Sequence, residues 1–193
     1  MIILEPKWKS WIIETTTPLF TPEQCQQIIE CGRRQPPQQA KVGTGKPSGG
    51  TNTEKRITTI SWIPFNEMKP MYDQVNSFIK KTNLNHFGFE DVGVTEQAQF
   101  TEYPEGGFYD WHMDCDINMQ HEPPVRKISM TVLLSSENQF EGGDLELMAP
   151  GKKVKLKQGH AICFASFINH RVAPVTKGVR QSLVMWFGGQ PFR

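Results

Sequence analysis

The chain has 193 residues, 37% apolar and 21% charged, with a formal net charge of +1 at neutral pH. That length suits a single domain with a sizeable core, and the near-zero charge supplies no global field for nucleic acid or an anionic membrane. No apolar run approaches the ~20 residues needed to span a bilayer, and Met1-Ile2-Ile3-Leu4-Glu5-Pro6-Lys7 lacks the charge pattern and cleavage site of a signal peptide, so a cytoplasmic protein without membrane or nucleic-acid partners is expected.

The first predicted element is a helix of roughly ten residues. Thr21-Pro22-Glu23-Gln24 reads as an N-cap, a proline at the first helical position and a capping-box glutamine; Cys25, Ile28 and Ile29 supply the apolar face, and Gly32 the stop. A second helix is expected over Pro70 to Lys81, with Met71, Val75, Phe78 and Ile79 on one side. Between them, Gln35 to Lys55 is rich in Pro, Gly, Gln, Thr and Ser. It reads equally as a functional lid or as a tolerated surface insertion.

From Arg56 onward the pattern turns to strand: Arg56 to Ile63, Val92 to Tyr103, Arg126 to Ser135, Asp144 to Met148, Lys152 to Leu156, Ala161 to Ala165, Arg171 to Val175 and Arg180 to Phe187. Turn signals at Glu141-Gly142-Gly143, Ala149-Pro150-Gly151, Gln158-Gly159 and Lys177-Gly178 separate them. Two helices followed by about eight short strands predict a mainly β fold, a jelly roll with helices flanking one side. The whole chain, 1–193, is expected to be one domain, with helical support and the candidate lid over about 1–90 and the β core over about 91–190. The four cysteines, Cys25, Cys31, Cys115 and Cys163, form no CxxC pair, so free thiols are expected rather than a thiolate zinc site.

The sharpest local feature is Tyr109-Asp110-Trp111-His112-Met113-Asp114. On an extended segment, side chains two apart point the same way. His112 and Asp114 therefore aim an imidazole and a carboxylate at one point. A 2-His-1-carboxylate facial triad for iron(II) needs one further histidine. Alone, His-x-Asp is short enough to be a surface turn. His160 follows Gly159 in a turn, and His86 lies in a polar segment. His121 could complete a local site with His112, Asp114 and Asp116. His170 opens an apolar strand ten residues before Arg180. Arg180-Gln181-Ser182 puts a guanidinium and a hydroxyl on one strand face. Both could hold the far carboxylate of a metal-bound dicarboxylate, which would cost several kcal/mol to bury unpartnered. Each of these residues has an ordinary surface alternative; their ordered occurrence favours His170 with Arg180.

These stretches resemble the prolyl 4-hydroxylase-like branch of the Fe(II)/2-oxoglutarate oxygenases. The resemblance runs from about Arg56 to Gly188. It rests on the segment from Tyr103-Pro104 through Gly106-Gly107 to His112-Met113-Asp114, on Arg126 to Leu134, on Glu141-Gly142-Gly143-Asp144-Leu145, and on His170 to Val175 followed by Gly178-Val179-Arg180. It implies a double-stranded β-helix, a triad of His112, Asp114 and His170, and the cofactors Fe(II), 2-oxoglutarate and O2, with ascorbate as an optional reductant. It also implies that Arg180 anchors the cosubstrate and that Tyr103 approaches it near the metal. Arg180 stands where collagen-type members carry lysine. Some relatives have a tyrosine on the central strand where this chain has Leu133, and Ser182, Thr131 or Ser129 are the candidates to replace its hydroxyl.

For the substrate, the resemblance suggests a peptidyl proline, hence a peptide or protein partner. Tyr109 and Trp111 could line a pocket for its ring or simply pack in the core. Arg56 could contact substrate or be a solvated strand-start charge. A free amino acid or other small molecule is the second class of substrate. A non-enzymatic jelly-roll binding module is the third reading, against which His112, Asp114, His170 and Arg180 together argue.

Overall fold

The computed structural model describes residues 10–39, 55–115, 124–148 and 153–191. Its centre is a pair of antiparallel sheets. In the larger, the strands run in the order Ile12–Glu14, Ala161–Ala165, Val125–Leu133, Arg180–Gly189, Ala98–Tyr103, Thr59–Ile63 and Gln38–Gln39, with Gly93–Val94 added beside Arg180–Gly189. In the smaller, the order is Lys153–Val154, Leu145–Leu147, His170–Val172, Phe108–His112 and Arg56–Ile57. Ala161–Ala165, Val125–Leu133, Arg180–Gly189 and Ala98–Tyr103 face the first four strands of the smaller sheet. Those eight form the core of the expected jelly roll.

Alternation along the strands divides the molecule into two apolar cores. Ile128, Met130, Val132, Leu183, Met185, Phe187, Ala98 and Phe100 point outward to the helices. Ile162, Phe164 and Tyr103 point inward to meet Leu145, Leu147 and Val172 of the smaller sheet. The intervening inward residues of the larger sheet are polar or aromatic: Ser129, Thr131, Gln99, Thr101, Arg180, Ser182 and Trp186. A buried sheet face with so many hydrogen-bonding groups costs stability unless those groups are used.

The first helix is Pro22–Arg34, and the expected capping box is present: Gln24 N donates to Thr21 Oγ1 at 3.2 Å and Thr21 N to Gln24 Oε1 at 2.9 Å. Gly32 does not stop it. A Cβ there would collide with the Phe100 ring, so this glycine lets helix and sheet approach, and the helix runs on to Arg34. The second helix is Lys69–Thr82, with Met71, Tyr72, Val75 and Ile79 buried and Phe78 only half-buried. Tyr72 Oη donates to Ile63 O at 2.5 Å and accepts from Ala98 N at 2.7 Å, tying the helix to two strands. A π-helical turn, Asn83–Phe87, follows and ends at Gly88 with φ 70°.

Two expected strands divide between sheets. Arg56 to Ile63 breaks at Thr58: Arg56–Ile57 joins the smaller sheet, Thr59–Ile63 the larger, and Thr58 Oγ1 donates to Glu102 O at 2.8 Å at the break. The Arg171 to Val175 segment breaks at Ala173-Pro174, where proline has no N–H for the ladder; His170–Val172 stays in the smaller sheet and Val175–Gly178 pairs with Phe140–Gly142. The strands Ile12–Glu14 and Phe108–His112 were not among those expected. Most of the Gln35 to Lys55 segment, the Ala149-Pro150-Gly151 turn, Asp116 and His121 lie outside the described residues.

Candidate active site

His170 lies opposite His112 in the smaller sheet, and the register shifts between His170 and Val172, which faces Tyr109. This β-bulge puts Tyr109 and His112 on one face although they are three apart; their rings stack with centroids 3.5 Å apart. The His112 and His170 ring centroids are 4.1 Å apart. Past His112 the chain turns so that the Asp114 and Cys115 N–H groups both donate to Ser166 O at 3.0 Å. Asp114 then lies between the histidines, Oδ1 at 3.6 Å from His112 Nε2 and Oδ2 at 3.5 Å from His170 Nε2. Among the described residues, these three converge with all ligand atoms within 4.8 Å of one another.

Their hydrogen bonds fix their chemistry. His112 Nδ1 donates to Asp110 O at 2.8 Å and His170 Nδ1 to Ile168 O at 3.0 Å. A carbonyl oxygen only accepts, so each Nδ1 carries the proton and each Nε2 presents its lone pair to the centre. Burial, with the neighbouring His170, pushes the His112 imidazole down to about 3, so it stays neutral. Burial works to raise the Asp114 carboxyl, but the imidazoles beside it and the Ser129 donor outweigh burial and hold it below the usual carboxylate range. Ser129 Oγ donates to Asp114 Oδ2 at 2.7 Å and is 3.0 Å from Ser166 Oγ. Two imidazole nitrogens and one carboxylate in a largely buried recess fit a divalent transition metal.

Arg180 lies in the same space between the sheets, on the inner face of the larger one. It is 3% exposed, its Nη1 donates to Ser182 Oγ at 3.0 Å, and Ser182 Oγ is 2.6 Å from Thr101 Oγ1. Tyr103 is its cross-strand partner, with the guanidinium carbon 5.6 Å from the tyrosine ring centre. Burial lowers the Arg180 pKa, partly offset by Tyr103 and Asp144. No carboxylate of the described residues is in ion-pair range of this cation. Gly143, at φ +63°, explains the Gly-Gly turn: a Cβ there would come within 2.8 Å of Arg180 Cδ. Thr131 lies inward between Ser129 and Leu133, across from Val184, on the path from triad to guanidinium. The donor set and the uncompensated cation together fit a metal-bound dicarboxylate.

The remaining candidates separate. Arg56 is no solvated charge: it is 8% exposed, its Nη2 donates to Gln99 Oε1 at 3.2 Å, its guanidinium carbon sits 4.3 Å above the Tyr109 ring, and its buried Nε has no partner among the described residues. Trp111 turns the other way, lying 5.2 Å from the Arg171 guanidinium, which bonds Glu146 on the opposite face of the smaller sheet. Ser129 serves Asp114 rather than the Arg180 end. His160 is occupied elsewhere, its Nδ1 donating to Thr15 O at 3.0 Å. Thr101, Ser166 and Trp186 were not anticipated. Trp186 faces Asp114 from the strand position opposite Ser129, its Nε1 closes no hydrogen bond, and Arg126 stacks on it at 3.8 Å while pairing with Glu96.

Residues 98–188, which include the triad and Arg180, match the sequence model of the 2OG-Fe(II) oxygenase superfamily. A PKHD-type hydroxylase of Alteromonas mediterranea is 37% identical over 92 residues, covering 45% of this chain and 41% of that protein, so the chain spans about two fifths of that relative's length. The structure of the viral collagen prolyl hydroxylase of Paramecium bursaria Chlorella virus-1 in its 2OG complex superposes with a TM-score of 0.71 at 16% identity, over 94% of this chain and 97% of that one. A Trichoplax adhaerens prolyl hydroxylase, in complex with a hypoxia inducible factor peptide fragment, gives 0.69 at 18% identity over 93% and 84%. The structural likenesses establish the fold. The stretch that builds the site, residues 98–188, is thus similar in sequence to the 2OG-Fe(II) oxygenase superfamily.

Proposed function

We propose that this chain is an Fe(II)/2-oxoglutarate-dependent dioxygenase that hydroxylates a peptidyl proline, in the manner of a prolyl 4-hydroxylase. The observation that carries the reading is one space between the two sheets, lined by a preformed triad and by a buried arginine with no ion-pair partner among the described residues. His112, Asp114 and His170 would hold the iron. Arg180, with Ser182 and Tyr103 around it, would bind the far carboxylate of 2-oxoglutarate, and Thr131 would flank the cosubstrate between. Bound iron, 2-oxoglutarate and O2 supply the oxidant for C–H hydroxylation, with succinate and CO2 as coproducts. Ser129 keeps the Asp114 carboxylate oriented, and the apolar walls from Phe164, Val172 and Leu145 exclude water.

On the open side, Tyr109 stacked on His112 offers a flat wall for a pyrrolidine ring, and the Arg56 guanidinium over that ring would turn an N–H to a substrate carbonyl. The hydroxylase likenesses, one of them carrying a peptide, support a peptide partner. The four free, buried thiols suit a reducing cytoplasm. The same Arg56 N–H also favours a second reading, a free amino acid bound by its carboxylate. Succinate release stimulated by proline-containing peptides and not by free proline supports the first reading; the reverse supports the second.

A further inference from the structure

The turn after the strand Ala161–Ala165 supports two of the three triad residues at once. Its Ser166 carbonyl takes both the Asp114 and the Cys115 N–H groups at 3.0 Å, and its Ile168 carbonyl takes His170 Nδ1–H at 3.0 Å. The turn is itself fixed, with Ser166 N donating to Lys127 O at 3.0 Å and Ile168 N to Ala165 O at 2.8 Å. On the turn's side these bonds use backbone groups alone, so the Ser166 side chain takes no part in them. Its hydroxyl is fully buried and lies 3.0 Å from Ser129 Oγ, which is 2.7 Å from Asp114 Oδ2.

We propose that Ser166 is a positioning residue of the metal site, whose hydroxyl donates to Ser129 and so holds the Ser129 proton on Asp114. The direction follows from counting protons. Each hydroxyl has one. An ionised Asp114 only accepts, so Ser129 directs its proton to Oδ2. Ser129 Oγ is then the acceptor in its contact with Ser166, and the Ser166 proton completes a one-way chain from Ser166 through Ser129 to Asp114. Ser129 is 1% exposed and Ser166 0%, so water does not compete at either position. A hydroxyl that accepts a hydrogen bond is polarised into a stronger donor, and the low dielectric of a buried site enlarges the effect. The same contact keeps the Ser129 side chain aimed at Oδ2. Ser166 therefore acts on Asp114 twice, through its backbone on the chain that carries the carboxylate and through Ser129 on the carboxylate itself. The inference rests on the reading of His112, Asp114 and His170 as metal ligands.

The test is a double-mutant cycle on the metal-free full chain, titrated with Mn(II) and followed by electron paramagnetic resonance, with urea unfolding as the check on folding. Ser166→Ala keeps every backbone bond of the turn and should weaken Mn(II) binding about three- to tenfold, the net contribution of one neutral hydrogen bond. In a Ser129→Ala background the same substitution should change the affinity less than about twofold, because the hydroxyl it removes has nothing left to act through. Ser166→Cys, close in size and with a weak S–H donor, should retain more affinity than Ser166→Ala, and it carries the cycle if Ser166→Ala does not fold. Equal losses in the two backgrounds, no loss in the wild-type background, or a Ser166→Cys as weak as Ser166→Ala overturns the proposal and leaves the metal site standing. A wild type that binds no Mn(II) overturns the metal-site reading, and this inference with it.

Discussion

Asp114 draws its orientation from groups far apart in sequence: the Ser129 hydroxyl at 2.7 Å and backbone N–H bonds to Ser166. Partners of a metal ligand typically contribute about 10–100-fold to metal affinity. Ser129→Ala should weaken Fe(II) or Mn(II) binding within that range without changing the fold, measured by titration followed with electron paramagnetic resonance; unchanged affinity would deny Ser129 its positioning role. Arg180→Ala should raise the Kd for 2-oxoglutarate by roughly a hundredfold, about 3 kcal/mol, while leaving metal affinity alone. At this scale the sequence was most legible for groups that act through their own side chains. His112, Asp114, His170 and Arg180 could be read from spacing and order. Thr101, Ser166 and Trp186 could not, because sheet register brings Thr101 and Trp186 to the site, the turn after Ala165 brings Ser166, and each is ordinary in isolation. Tyr109 and Trp111 part for a related reason: simple alternation gives them one face, and the bulge separates them.

Elements were legible where local chemistry determines them. The capping box at Thr21 and Gln24 set the start of the first helix, whereas Gly32 misled about its end because its smallness answers to Phe100 in another element. Gly32→Leu should therefore destabilise the fold by about 1–3 kcal/mol through overpacking, read from urea unfolding; a loss no greater than helix propensity allows would mean the helix–sheet approach is slack. Gly143→Val should lower both stability, because φ +63° strains a β-branched residue, and 2-oxoglutarate affinity, because the added side chain strikes the Arg180 stem, read from urea unfolding and ligand titration. Strand breaks were less legible. Thr58 and Pro174 mark sites where a continuous apolar pattern passes from one sheet to another, and pattern alone does not record which partner each half finds.

Over the whole molecule, the jelly roll spends stability on a polar inner face and recovers it through the outer core against the helices. The triad makes that balance depend on pH. His112 has an ordinary value of 6.5 and is pushed down to about 3 in the fold. The unfolded chain therefore takes up a proton there that the folded chain refuses, and folding stability falls as pH drops from about 6.5 toward 3. Asp114, whose pKa is lowered, acts in the same direction at the acid end. Metal-free protein should lose unfolding free energy between pH 7 and 5, and His112→Asn should flatten that slope; equal slopes would mean His112 is solvated in the absence of metal.

The central claim is that one metal and one dicarboxylate share the space between the two sheets, and it is tested most directly by anaerobic titration with Fe(II) and 2-oxoglutarate, watching the visible metal-to-ligand charge-transfer band. The wild type should develop the band, His170→Ala should not, and Arg180→Ala should show it only at much higher 2-oxoglutarate. Absence of the band from metal-loaded wild type would contradict the account, and its survival in His170→Ala would move the second histidine to His121.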